Sequence, residues 1–279
     1  MMSSTQRGLI VTKEELIKQA GITRAIGWQK LLILAIFAAI ALCEYLFAYQ
    51  DVAYGIGLAL FLALGIYLTI SVVRLSQPIT DCAGSLALIP LYILFTSSLP
   101  WFFINQQYLL PAVYSIIIAL SLWHIYQNKL SLKDIFGFNK DKRLSYSLVG
   151  LAIGIVLGTG EYFILHPSPA FPTFEIKYFF KDMLYMLFFV ALGEELLFRG
   201  LLQRDLMKVF GTKGGLILAS LMFAIMHLTW RSFPELGFVF IAGLILGVLY
   251  WKTKNLVLPI LVHGINNVML VAVLPYILG

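Results

Sequence analysis

Nine apolar runs, at approximately 31–49, 52–73, 83–104, 108–127, 144–165, 178–199, 214–229, 235–251 and 255–277, set the first limit on the fold. Most are long enough to cross about 30 Å of hydrocarbon at roughly 1.5 Å per helical residue. A backbone at that depth finds no water, so it must satisfy its hydrogen bonds within itself. The expected fold is an all-α polytopic transmembrane helix bundle. The seventh and eighth runs are short and only Arg231, Ser232, Phe233 and Pro234 join them, so eight or nine spans are expected. With 60% of 279 residues apolar, 12% charged and a mean hydropathy of +0.89, water-soluble, disordered, disulfide-framed and nucleic-acid-binding classes are excluded.

The basic residues supply an orientation. With the N-terminus cytoplasmic, 17 of the 20 Lys and Arg residues fall on the inner side, leaving Lys177, Lys181 and Arg231 outside. That is the positive-inside pattern of a multi-pass protein of a cell membrane, plasma or bacterial inner. The net charge of +6 thus reports topology and requires no nucleic-acid partner. The segment from Met1 to Gly27 has no apolar core of the signal-peptide kind, so the first run is expected to stay as a span. Cys43 and Cys82 fall in or at the edge of apolar runs and read as small buried hydrophobes. The loop from Leu130 to Arg143 divides an N-terminal membrane module of about four spans (1–130), poor in ionisable groups, from a core (131–279) that holds nearly all the intramembrane chemistry. Gly150, Gly154 and Gly158, and likewise Gly243 and Gly247, recur every four residues and are expected to admit close helix contacts.

An ionisable group at membrane depth costs about 2.5–3.5 kcal/mol, so each one needs a partner, a cavity or a task. The sixth run holds Glu194, Glu195 and Arg199. Glu195 and Arg199 share a face at i,i+4 and can pair, whereas Glu194 turns to another face, where a desolvated carboxylate suits a general base. His227 follows Phe223 by one helical turn, and His263 shares a face with Asn267. His124 and His166 have no such companions and read as structural. Glu44 and Glu161 lie near the outer ends of their runs, where a side chain can snorkel to the interface. Asp51 and Asp81 count as loop residues.

Glu194, His227, His263 and Asn267 supply a base, a proton-handling partner and two donors for a developing oxyanion, which is equipment for water attack on an amide. No Gly-x-Ser-x-Gly elbow occurs and no cysteine accompanies either histidine, so a serine or cysteine nucleophile has little support. Two alternatives stay open. Glu194, His227 and His263 are acceptable zinc ligands, although no His-Glu-x-x-His helix is present. The buried charges would also suit a non-catalytic protein of transport or partner binding.

The ordered set Glu194-Glu195-x-x-x-Arg199, Phe223-x-x-x-His227 and His263-x-x-x-Asn267, each on its own run, resembles the CPBP family of intramembrane proteases. That family joins type II CAAX prenyl endoproteases with bacteriocin-processing and self-immunity (Abi) proteins. The resemblance covers roughly residues 183–270 and implies a CPBP-like protease core. It implies that Glu194 and His227 activate water, that His263 and Asn267 form the oxyanion hole, and that catalysis is of the glutamate type without metal or cofactor. Glu195 and Arg199 would support the site as an ion pair, and Phe223 would be its apolar wall. The implied substrate is a membrane-anchored or lipid-modified protein, cut in a cavity opening toward the cytoplasm.

Overall fold

The computed structural model describes residues 13–137 and 143–279, with side chains placed from residue 27 onward and again from residue 145. Every regular element among them is helical. α1 (Lys13–Tyr49), α2 (Val52–Val72), α3 (Gln77–Ser97) and α4 (Leu109–Gln127) form the N-terminal group, and the short α5 (Leu132–Phe136) leads to α6 (Arg143–Leu165). A long helix then starts as α7 (Ile176–Tyr185), widens into a π-helical stretch (Met186–Ala191) and returns to α geometry in α8 (Leu192–Glu195). It widens again (Leu196–Gln203) and continues as α9 (Arg204–Ile225). α10 (Phe233–Thr253) and α11 (Val257–Val268) follow, and α11 passes through a third π stretch (Met269–Val273) into α12 (Leu274–Leu278).

Local sequence sets the helix starts. Asp51 accepts from the Ala53 amide at 2.7 Å to cap α2, and Ser232 accepts from the Glu235 amide at 3.3 Å to cap α10, with Pro234 in the first turn. Asn255 accepts from the amides of Val257 and Leu258 at 2.8 and 3.2 Å and caps α11. At Gly211 the backbone takes φ 75° and ψ 173°, a region open in practice to glycine alone. There α9 doubles back. Phe198 and Phe223, on opposite sides of Gly211 in the chain, meet with ring centroids 5.0 Å apart.

Eight helical stretches among the described residues are long and apolar enough to span a membrane. One of them, Ile176–Trp230, contains both arms of the Gly211 hairpin, which is why the count is eight where the apolar runs number nine. The third span runs over Gln77–Ser97, not 83–104, because Pro78 starts the helix and its polar first turns are held from outside. Asp81 therefore lies inside α3, not in a loop, and accepts from Gln77 at 2.7 Å and Lys208 at 3.2 Å. The sixth run likewise does not end at 199. Gln203 donates to the Gly247 carbonyl at 3.0 Å, and Asp205 accepts from Ser85 at 2.5 Å and Lys208 at 2.9 Å. Satisfied polar groups let the helix continue past the point where hydropathy falls.

α3 is the enclosed member of the N-terminal group, with 61% of its apolar window buried against 22% for α2. One apolar cluster joins Ile33, Ile40 and Leu86 of that group to Leu202, Phe223 and Leu256 of the later helices. Leu60, Phe61, Leu64 and Leu68 of α2 are exposed, as expected of a surface turned to lipid. α6 lies along α11, and a Cβ at Gly154 or Gly158 would collide with the backbone of Val262 or Asn266. The glycine stripe thus brings α6 against the segment that carries His263 and Asn267. The carbonyls of Gly243 and Gly247 accept from Arg199 and Gln203, joining α10 to the long helix in the same way. Cys43 and Cys82 are free and buried.

Candidate active site

The single α turn Leu192–Glu195 lies between two π-helical stretches, and it carries both carboxylates of the sixth run. π-Helical turns inside α-helices concentrate at functional sites. Glu195 and Arg199 are fully enclosed and paired, Arg199 Nη1 donating to Glu195 Oε1 at 2.6 Å. The other side of Arg199 donates to the Gly243 carbonyl at 3.3 Å, and its guanidinium lies 4.3 Å from the centre of the Phe223 ring. Glu195 Oε1 also takes the Nδ1 hydrogen of His263, at 2.8 Å. One carboxylate thus holds the guanidinium and orients the imidazole.

Glu194 is held differently. Tyr114 of α4 donates to its Oε1 at 3.0 Å. Its Oε2 lies 3.7 Å from His263 Nε2 and has no hydrogen-bond donor among the described residues. Phe223 is the hub of the aromatic contacts, its ring centre 4.9 Å from His227 and 5.8 Å from His263. His227 sits just beyond α9, with Nδ1 2.8 Å from the Phe223 carbonyl. A carbonyl only accepts, so Nδ1 carries the hydrogen and Nε2 keeps its lone pair for the cavity.

Two cavities meet at Glu194. The larger, about 500 Å³, extends among α1–α4 and is lined by Glu44, Phe47, Tyr92, Thr96 and Trp101. The smaller, about 300 Å³, is lined by Phe223, His263, Asn266, Asn267 and Glu161. Tyr114, Glu194, His227 and Trp230 line both. The structure therefore gathers Glu194, His227, His263, Asn267 and Phe223 around one cavity, with Glu195 and Arg199 behind them. No three His, Cys, Asp or Glu side chains among the described residues are grouped as a metal ion requires.

Four neighbours escaped the sequence. Asn266 donates to Glu161 Oε2 and, at 3.2 Å, to Asn267 Oδ1, which leaves the Asn267 amide hydrogens for the cavity. Glu161 is in side-chain contact with Glu235 of α10, whose two oxygens have no other polar partner among the described residues. Tyr114 comes from outside the recognised motifs. Glu44 and Glu161 do not snorkel as expected: they are only 3% and 8% exposed, because the bundle closes around cavities at their depth. Of these, Glu161 had a legible signal, a carboxylate in an apolar run, and Asn266 sits beside a motif residue. Nothing in the sequence singles out Tyr114.

Comparison with known proteins supplies the context for this geometry. No curated protein and no solved structure matches the chain. Residues 177–269 match the family model described as type II CAAX prenyl endopeptidase Rce1-like. The match contains Glu194, Glu195, Arg199, Phe223, His227, His263 and Asn267, and it excludes Tyr114, Glu161 and all of α1–α4. The match thus agrees with the family that the motifs resemble, over residues 177–269 of a multi-pass membrane protein.

Proposed function

We propose that the chain is an intramembrane endopeptidase that hydrolyses a peptide bond of a membrane-anchored or lipid-modified protein, with Glu194 as general base. The observation that carries this is the asymmetry of the two adjacent carboxylates. Glu195 binds Arg199 and His263 through one oxygen and is wholly enclosed, whereas Glu194 lines both cavities and turns to them an oxygen that no described residue donates to. In the reaction, a water between Glu194 and His227 Nε2 loses a proton to them as its oxygen attacks the scissile carbonyl carbon. The carbonyl oxygen becomes an oxyanion, stabilised by His263 Nε2 when it carries hydrogen and by the Asn267 amide. The C–N bond then breaks as the abstracted proton passes to the leaving amine. Tyr114 holds Glu194 from α4, and the contacts of Glu161 and Asn266 set the Asn267 side chain.

The test is mass spectrometry of membrane-anchored peptides incubated with wild type and Glu194→Gln, both with a chelator present. A discrete product from wild type alone is expected. Cleavage by Glu194→Gln overturns the assignment of the base, and loss of wild-type cleavage on chelation favours the zinc alternative.

The side of the membrane is a separate proposal. Val52, Trp101, Thr229 and Trp230 line the larger cavity where α1 meets α2, α3 meets α4 and α9 meets α10. That end of the bundle carries few Lys and Arg residues, and with a cytoplasmic N-terminus it would face outward, which speaks against the cytoplasmic opening expected from the sequence. On the charge asymmetry we propose that the cavity opens at the outer face. An impermeant maleimide should then label a cysteine at Thr229, and not one at Lys252, in intact cells expressing a variant free of Cys43 and Cys82.

A further inference from the structure

The larger cavity has two carboxylates, one imidazole and no Lys or Arg. Glu44 and Glu194 both line it, Tyr92 lies within electrostatic reach of both carboxylates, and no Lys or Arg is among the lining residues. Glu44 is only 3% exposed, and among the described residues it makes no hydrogen bond or ion pair. Arg231, which reaches α1 one turn beyond Glu44, is committed elsewhere: it donates to the Ala48 carbonyl at 2.5 and 3.0 Å and faces the Tyr49 ring. Phe47, Tyr92, Trp101 and Trp230 supply aromatic lining. A buried carboxylate without a counter-charge is costly, and an aromatic-lined acidic cavity attracts cations. The volume of about 500 Å³ falls within the range of ligand pockets, about 300–1,000 Å³.

We propose that this cavity, built by helices outside the Rce1-like match, is a specificity subsite in which Glu44 receives the ammonium or guanidinium of a substrate lysine or arginine beside the scissile bond. The placement beside the scissile bond rests on the protease function proposed above, whereas the cation site itself does not. The apolar stem of such a side chain would lie along Phe47 and Tyr92 while its charge reaches Glu44, and the backbone it belongs to would lie near Glu194.

The experiment has two arms, both on the full chain in lipid nanodiscs. In the first, a diazirine-bearing dodecylammonium and the same chain ended by a hydroxyl are photolysed with wild type and with Glu44→Gln. The ammonium should label cavity residues of α1–α4 about tenfold more in wild type than in Glu44→Gln, and the alcohol should label both alike. Equal ammonium labelling of the two proteins, or labelling that misses α1–α4, overturns the cation site. In the second, acylated peptides carrying one lysine, scanned along the chain, are compared with norleucine controls. The lysine-to-norleucine ratio of kcat/KM should fall about tenfold in Glu44→Gln at one position, and a ratio unchanged at every position overturns the subsite. Absence of any cleavage by wild type would count against the protease function, and the labelling arm would still decide the cation site. Unchanged thermal unfolding of Glu44→Gln excludes a folding defect as the cause of either result.

Discussion

Two pairs of carboxylates flank the smaller cavity, and the protein handles them in opposite ways. Glu194 and Glu195 are neighbours in sequence, and one guanidinium, Arg199, compensates the pair from within the same helix. Glu161 and Glu235 come from α6 and α10, face each other, and receive one amide, that of Asn266, and no cation. Two carboxylates in contact repel unless a proton lies between them. The first pair therefore suits a charged, reactive carboxylate, and the second suits a fixed hydrogen-bond anchor behind Asn267. Carboxylates are tolerated at membrane depth in both, by a counter-ion in one case and by a shared proton in the other.

The difference is open to direct attack. Glu194→Gln should lower kcat/KM by about 10²–10⁴-fold, the range of a general base, while Glu161→Gln should lower it far less, as both variants' progress curves would show. Arg199→Met leaves Glu195 buried without its partner and should destabilise the protein by about 3–5 kcal/mol, read as a fall in thermal unfolding midpoint in detergent. Tyr114→Phe removes one hydrogen bond to a charged oxygen and should reduce kcat about tenfold with little change in KM. Glu235→Gln should be the mildest, neutral or stabilising by about 1 kcal/mol, because an amide can donate to Glu161 without the proton that two carboxylates must share. A large loss of stability there would show that Glu235 has a counter-ion in the membrane.

Much of this was legible in the apolar runs. Their length and number specify a helical bundle, and the i,i+4 spacings find the Glu195–Arg199 pair because both residues lie on one helix. What periodicity cannot see is a partner on another helix. Tyr114 reaches Glu194 across 80 residues and Asn266 reaches Glu161 across 105. The snorkelling expected of Glu44 and Glu161 failed for the same reason, since nearness to the end of a run does not say whether that end faces lipid or a cavity. The π-helical stretches were equally invisible, because the residue in excess is accommodated by packing and not marked by any residue type.

Gly211 also bears on how the protein is made. Glu194 precedes it and His227 follows it at nearly equal distances along the chain, on arms joined without a loop. Such a pair leaves no soluble segment between one helix and the next. The two arms are expected to partition as a closed helical hairpin, so the proposed base and its imidazole partner would become neighbours during biogenesis, before α10 and α11 arrive to complete the site.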